Sequence, residues 1–273
     1  MIEEGEVHSQ ANAQVVQAVQ IEKDYVISWV LYGIASNPFL LENLVFKGGT
    51  VLRKVYFPEY RLSEDIDFTW RGEEFNIDVI YAAFQEVCEW VEEEARIPLS
   101  FVKEAPHATG NLGFYLHYIG PLGGNAENKS IKVDISPKEM MCEEPISQPV
   151  IRPYYDLEEE YEIHCYSLDE VISEKLRSLM QRTEPRDLYD IWYLLEKEGK
   201  DIRDYVFCFQ DKAKFKDLNP DNLVAVVTGK KAKFAAQWEG RLSKQMNEIP
   251  EFEEAWRELG GHWREFDKFI ASS

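Results

Sequence analysis

Leu44-Val45-Phe46 is a short apolar run that stops on Lys47-Gly48-Gly49-Thr50, the pattern of a strand entering a tight turn. Glycine is the residue that reaches such turns without steric cost. Thr50 to Tyr56 then reads as a short helix that Pro58 closes. Fourteen residues separate Thr50 from Asp65, where Asp65-Ile66-Asp67-Phe68-Thr69-Trp70 alternates polar with apolar. A strand has a side-chain period of two, so both aspartates project from one face while Ile66 and Phe68 pack on the other. Any fold must therefore bury one side of this strand and leave two carboxylates on the opposite side.

The surrounding segments supply the partners for such a sheet. Apolar residues Val15, Val19, Val26, Trp29 and Val30 recur at near-helical spacing from Asn12 to Tyr32, which predicts one amphipathic helix. Ile77, Ile80, Tyr81, Phe84, Val87, Cys88 and Val91 predict another, ended by Pro98. Three strand candidates follow at Leu99 to Val102, Leu112 to Ile119 and Ile131 to Ser136. In the last, Lys132, Asp134 and Ser136 alternate with Ile131, Val133 and Ile135. After about Val150 the pattern becomes helical, apart from a strand signal at Tyr161 to Tyr166, so a second, mainly helical domain is expected over 151–273 after a first over 1–150. Ser167-x-x-Glu170 is a capping box opening a helix to about Gln181, Pro185 interrupts it, and Asp187 to Glu196 forms the next.

Composition narrows the function classes. A formal net charge of -20 repels polynucleotides over most of the surface, so any nucleic acid would dock on a local basic patch or at a metal-filled site. Met1 to Gln14 is polar and acidic, unlike a secretory signal, and the longest apolar run, Val26 to Ala35, is far short of the ~20 residues a membrane helix needs. A soluble, cytoplasmic protein with no membrane partner is expected. Cys88, Cys142, Cys165 and Cys208 are scattered singly and read as reduced thiols. His8, His107, His117, His164 and His262 show no metal-ligand spacing.

Two carboxylates one residue apart on a strand, joined by a third, Asp134, from a neighbouring strand, can hold two Mg²⁺ ions around a triphosphate. Mn²⁺ would suit the same oxygen donors. Gly48 and Gly49 let backbone N–H groups approach phosphate oxygens, and Thr50 adds a hydroxyl. Alone, Gly-Gly-Thr is commonly just a turn and Asp-x-Asp a solvated strand face. In the order turn, short helix, Asp-x-Asp strand, helix, later Asp strand, they point to phosphoryl or nucleotidyl transfer.

Phe46-Lys47-Gly48-Gly49-Thr50-x-Leu52-Arg53 followed by Arg61-x-Ser63-Glu64-Asp65-Ile66-Asp67-Phe68 resembles the AbiEii/AbiGii toxin family, a branch of the DNA polymerase β-type nucleotidyltransferases. Ser167-Leu168-Asp169-Glu170 through Glu174-Lys175-Leu176, then Arg186-Asp187-Leu188-Tyr189-Asp190, resembles its downstream motifs. The resemblance implies an α+β fold, a mixed nucleotidyltransferase sheet flanked by helices and followed by a mainly helical domain that completes the cleft. It implies NTP and Mg²⁺ use, Asp65 and Asp67 as metal ligands, and Asp134 as the third carboxylate on strand pattern. Lys175 matches the family's functional lysine, and Asp187 and Asp190 its Arg-Asp-x-x-Asp. Some members are toxin halves of toxin–antitoxin pairs that add nucleotides to tRNA ends, so tRNA is an acceptor and an antitoxin a partner that the resemblance suggests.

The same residues carry plainer readings. Lys175 lies on the apolar stripe of Val171, Ile172, Leu176 and Leu179, so it needs an anion, which a triphosphate would supply, or it snorkels to water. Asp187 could cap a helix after Pro185 while Arg186 pairs with Asp190. Lys47 and Arg53 could touch phosphate, although charges beside a turn are usually solvated; Ser63 could bind phosphate or order the strand entry. Lys230, Lys231, Lys233, Arg241 and Lys244, interleaved with Phe234 and Trp238, could contact RNA but read first as an exposed helix face. Two rival functions remain. Asp65-x-Asp67-x-Thr69 is the nucleophile pattern of haloacid-dehalogenase-like phosphatases, but it lacks the preceding apolar strand that pattern needs. A non-catalytic nucleotide- or protein-binding module on the same fold is the other. The acceptor is open among tRNA, a protein side chain and a small molecule.

Overall fold

The computed structural model describes residues 1–103 and 110–272, and the chain divides into two compact units. Met1–Glu139 with Pro145–Tyr166 form the first, and Met140–Glu144 with Ser167–Ser273 the second. His107 lies outside the described residues.

The first unit opens with α1 (Glu4–Gln14), α2 (Ala18–Ser36) and α3 (Pro38–Asn43). The single helix expected from Asn12 is thus two, because Val15 closes α1 in the left-handed conformation and Gln17 with Gln20 forms a capping box that starts α2. β1 (Leu44–Lys47) leads into α4 (Gly48–Val51), which runs on as a π-helical turn, Leu52–Tyr56. β2 (Asp65–Trp70) follows, then α5 (Ile77–Ala95), whose Asn76 cap accepts from the N–H groups of Asp78 and Val79. α5 ends on Arg96 in the left-handed conformation, two residues before Pro98. The remaining strands are β3 (Leu99–Lys103), β4 (Leu112–Tyr118), β5 (Ser130–Ser136), β6 (Ile146–Pro149) and β7 (Glu162–Cys165).

All seven form one mixed sheet in the order β3-β4-β5-β2-β1-β7-β6. β2 runs parallel to β5 and β1 parallel to β7, while the other pairs are antiparallel. The Tyr161 to Tyr166 strand therefore belongs to this sheet, and Pro145–Tyr166 group with the first unit. Four-residue β7 buries Ile163 and Cys165, with β6 paired beside it, only by extending a sheet made earlier in the chain, a pairing that local pattern does not carry. On one face Ile66, Phe68, Phe114, Val133 and Ile135 are fully buried. Phe84 of α5 meets Phe114 edge-on at 4.8 Å between ring centroids, and Phe46 meets Phe68 at 5.6 Å. Burying each such side chain stabilises by about 1.5–3 kcal/mol. The alternate residues, Lys47, Asp65, Asp67, Lys132 and Asp134, are left for the opposite face.

A buried charge cluster fixes the far end of the α4 turn. Asp24 of α2, fully enclosed, accepts from Arg53 Nε at 3.2 Å and from Lys54 Nζ at 2.7 Å, and Tyr154 donates to it at 2.8 Å. Arg53 also donates to the carbonyls of Pro58 and Tyr60, so one guanidinium orders the long segment between turn and β2. It is buried, not solvated as the sequence suggested. Burial drives Lys54 down to about 8, with Asp24 only partly offsetting it.

The second unit consists of α6 (Leu168–Gln181), α7 (Pro185–Trp192), a π-helical turn at Tyr193–Lys197, α8 (Val206–Phe215), α9 (Leu223–Gly229), α10 (Lys231–Leu242) and α11 (Phe252–Ser272). Ser167 caps α6 by accepting from Glu170 N at 3.1 Å. The Glu170 side chain does not complete a capping box; it takes Lys212 at 2.5 Å and the N–H groups of Cys142 and Glu143. Pro185 is the first residue of α7. Cys142 and Cys208 form a disulfide, which corrects the reading of four reduced thiols; a separation of 66 residues left no local signal. Cys88 and Cys165 are free and buried, and burial pushes their thiols up to about 12 and about 11. No helix among the described residues is long and apolar enough to cross a membrane.

Lys54 gives a pH prediction. Its proton is lost near pH 8 in the folded protein and near 10.5 when unfolded, so the unfolded state binds more protons in that window and stability rises with pH. Urea denaturation of wild type and Lys54→Met should show the wild-type minus variant difference rising by about 1–2 kcal/mol from pH 8 to 9.5 and flat below pH 7.

Candidate active site

The carboxylate row follows from strand register. In the parallel β2–β5 pair Asp67 stands beside Asp134, and Asp65 beside Lys132, so all four side chains share a face across a gap of about 4.8 Å. On the other flank Lys47 of β1 faces Asp67, and beyond Asp134 β4 offers only Gly113. The three aspartates are half-buried. Asp65 is the first residue of β2, which runs antiparallel to β1. The phosphatase motif needs its nucleophile at the end of a buried strand, so that rival reading does not fit.

Gly48 sits in the left-handed region at φ 82°, and a β-carbon there would collide with the Asp67 carboxylate. The turn is thus pressed against the row. The first N–H groups of a helix lack intrahelical acceptors, and those of Gly49 and Thr50 begin α4 here. Thr50 itself is buried; its hydroxyl donates to the Asp65 carbonyl and lies 2.7 Å from the Ser63 hydroxyl. Thr50 and Ser63 therefore pin the entry of β2 to the turn, rather than offering an open hydroxyl. Lys47 reaches across β2 to Ser136 Oγ at 3.0 Å and lies 3.7 Å from Glu139. It is buried at 8% exposure, so the expectation of a solvated flanking charge is corrected.

Sequence reasoning passed over Asn111, Lys132, Ser136 and Glu139. Asn111 Nδ2 donates to Asp134 Oδ1 at 3.2 Å, and Lys132 Nζ lies 3.8 Å from Oδ2. The parity of β5 already put Lys132 and Ser136 on the face of Asp134; Asn111 and Glu139 lie outside strands and gave no periodic signal. A divalent ion needs oxygen donors on one face with a close backbone approach, and the aspartates beside Gly48 meet that demand. Their oxygens are not gathered at single-ion spacing: among the described residues the only metal-ligating group drawn within 4.8 Å is Cys142, Glu170 and Cys208, whose sulfurs are bonded to each other. Three carboxylates on one face are the hard oxygen donors that divalent ions take, and a row shared by two ions, themselves about 3.5–4 Å apart, does not require every oxygen to reach one centre.

Lys175, Asp187 and Asp190 form a separate cluster in the second unit. Lys175 Nζ lies 2.7 Å from both Asp187 Oδ1 and Asp190 Oδ2, and Arg182 Nε 2.6 Å from Asp187 Oδ2. The anion that Lys175 requires is thus provided within its own unit, and it does not snorkel to water. Burial raises the Asp187 carboxyl, but Lys175 and Arg182 outweigh that and hold it below its usual range. Asp187 does not cap α7, which Glu184 precedes, and Arg186 pairs with Glu184 at 3.2 Å rather than with Asp190. In the basic segment, Lys230 donates to the carbonyls of Leu179, Met180 and Arg182 at the end of α6, and Lys231 to Glu253. Phe234 and Trp238 are buried. Lys230 is therefore a helix-end cap, while Lys233, Arg241 and Lys244 remain an exposed face.

Two substitutions follow. Gly48→Ala should cost about 1–2 kcal/mol through backbone strain alone, and more through the Asp67 collision, read by urea denaturation. Lys175→Met leaves Asp187 and Asp190 without their shared cation and should cost roughly 3–5 kcal/mol in the same assay, with Arg182 retaining part of the Asp187 pairing.

A family model described as nucleotidyl transferase AbiEii toxin, type IV toxin–antitoxin system, matches residues 29–271. No curated protein matches the sequence. Among solved structures, MenT4, a nucleotidyltransferase toxin of Mycobacterium tuberculosis H37Rv, is 17% identical with a TM-score of 0.59, covering 100% of this chain and 99% of its own. JHP933 of Helicobacter pylori is 17% identical at a TM-score of 0.55, with 94% and 95% covered. A putative nucleotidyltransferase of H. pylori is 19% identical at 0.53, with 92% and 95% covered. At these identities the structural likeness establishes the shared α+β fold alone, whereas the family match spans most of the chain. The chain belongs to the AbiEii nucleotidyltransferase toxin family of type IV toxin–antitoxin systems.

Proposed function

We propose that the protein transfers a nucleoside monophosphate from an NTP to a tRNA, using Mg²⁺, with Mn²⁺ as a substitute, held by Asp65, Asp67 and Asp134. The observation that carries this reading is the register setting Asp67 beside Asp134, with Asp65 on the same face and Gly48 against Asp67. Bound divalent ions would supply charge neutralisation at the triphosphate and lower the pKa of the attacking hydroxyl. The protein's own task is positioning. Gly48 and Gly49 give backbone access to phosphate oxygens, Thr50 and Ser63 fix Asp65 relative to that turn, and Lys47 adds a cation beside Asp67. The acceptor hydroxyl forms a bond to the α-phosphorus, the α–β bridging bond breaks, pyrophosphate leaves, and Asp134 takes the hydroxyl proton. Lys175 and Asp187 as catalytic residues, and Asp190 as a nucleotide contact, rest on the family motifs; their mutual pairing gives each a structural task as well.

The family's place in toxin–antitoxin systems supports a cognate antitoxin and a cytoplasmic target. A net charge of -20 argues that tRNA engages a limited surface rather than the protein at large. The test incubates the protein with Mg²⁺, each labelled NTP and total cellular RNA. Label should enter tRNA and be abolished in Asp65→Ala/Asp67→Ala; equal labelling by both proteins would sink the assignment, and label in protein or small molecules would redirect the acceptor.

A further inference from the structure

Lys132 shares the face of the carboxylate row and has no task in the reading above. Its strand neighbour across the β2–β5 register is Asp65, and its Nζ lies 3.8 Å from Asp134 Oδ2. At 30% exposure it is neither enclosed nor freely solvated. The other oxygen of Asp134 is taken by Asn111 at 3.2 Å, so that carboxylate is held between a cation and an amide, one oxygen to each. Three aspartates on adjacent strands repel one another, and an ammonium 3.8 Å from one of them, on the residue that is the register neighbour of another, lowers that repulsion.

We propose that Lys132 is an exchangeable counter-ion of the nucleotide site: it neutralises Asp65 and Asp134 in the metal-free protein, gives way to the divalent cation, and then contacts the triphosphate. The proposal rests on the metal reading of the acid row. A divalent ion entering between Asp65 and Asp134 meets the ammonium as a like charge, so the two compete for the same oxygens. Once displaced, the ammonium sits on a flexible four-carbon stem at the edge of a site whose incoming ligand is a polyphosphate, its natural partner. Asn111 keeps Asp134 oriented throughout, as an outer hydrogen-bond partner does for a metal ligand.

Competition and phosphate contact predict opposite signs for one substitution, which a merely structural lysine would not produce. Manganese alone is titrated into the nucleotide-free, full-length protein, with free Mn²⁺ read by electron paramagnetic resonance. Each of the four α,β-methylene NTPs is then titrated calorimetrically at saturating Mn²⁺. Lys132→Met should bind Mn²⁺ roughly tenfold more tightly than wild type, and the NTP analogue roughly tenfold more weakly. Lys132→Arg should stay near wild type in both. Unchanged or weaker Mn²⁺ binding by Lys132→Met, or unchanged analogue binding, would overturn the proposal; melting curves of the metal-free variants establish that each is folded. If wild type takes up no Mn²⁺, or Asp65→Ala/Asp67→Ala takes up as much, the metal reading itself fails, an outcome distinct from any in which only Lys132 is indifferent.

Discussion

The parallel alignment of β2 with β5 is the constraint on which the rest of the first unit depends. It sets Asp67 beside Asp134 and, by the period of two, Ile66 beside Val133 on the opposite face. A slip of one residue would turn the aspartates into the apolar layer and lift Ile66 and Phe68 out of it, so burial of that layer and the geometry of the acid face are one and the same choice. The two strands are far apart in sequence, and β1 with α4 on one side and β4 on the other lock the pair from both flanks. An acid face of this kind needs no dedicated folding energy; it is the reverse side of the hydrophobic core.

Charges that leave water in this protein are held by explicit partners. Asp24 is shared by Arg53 and Lys54, Glu22 takes Lys129 at 2.7 Å, Glu170 takes Lys212, and Lys175 is shared by Asp187 and Asp190. Buried ion pairs are weak sources of net stability, because desolvation cancels most of the attraction. What they provide is position. Arg53 ties α1, α2 and the segment before β2 to one point through Gln14, Asp24, Pro58 and Tyr60. That anchoring explains how a connection of fourteen residues between Thr50 and Asp65 is accommodated without loosening the turn.

Much of this was legible in the sequence, for identifiable reasons. β2 was read residue for residue because its alternation is strict and both faces have strong preferences, and α5 because its apolar positions recur over five turns. The same alternation on β5 put Asp134 on the face where the register sets it beside Asp67. What escaped depended on contacts between distant segments: β6 and β7 joining the first sheet, Asn111 reaching Asp134, and the Cys142–Cys208 bond. The long helix at the amino end was misread because Val15 and Val19, which carried its period, are exposed, and a left-handed Val15 is not announced by its residue type. Lys175 was correctly seen to need an anion, but pattern alone does not say that the anion is a pair of aspartates twelve and fifteen residues later.

The bond between Cys142 and Cys208 closes a covalent ring that contains β6 and β7, two strands of the other unit's sheet. A single peptide cleavage between residues 143 and 207 opens the ring without releasing either piece, and the fragments part only after the sulfur bridge is reduced as well. Resistance to a protease and resistance to a reductant become joint properties here, each masking the loss of the other.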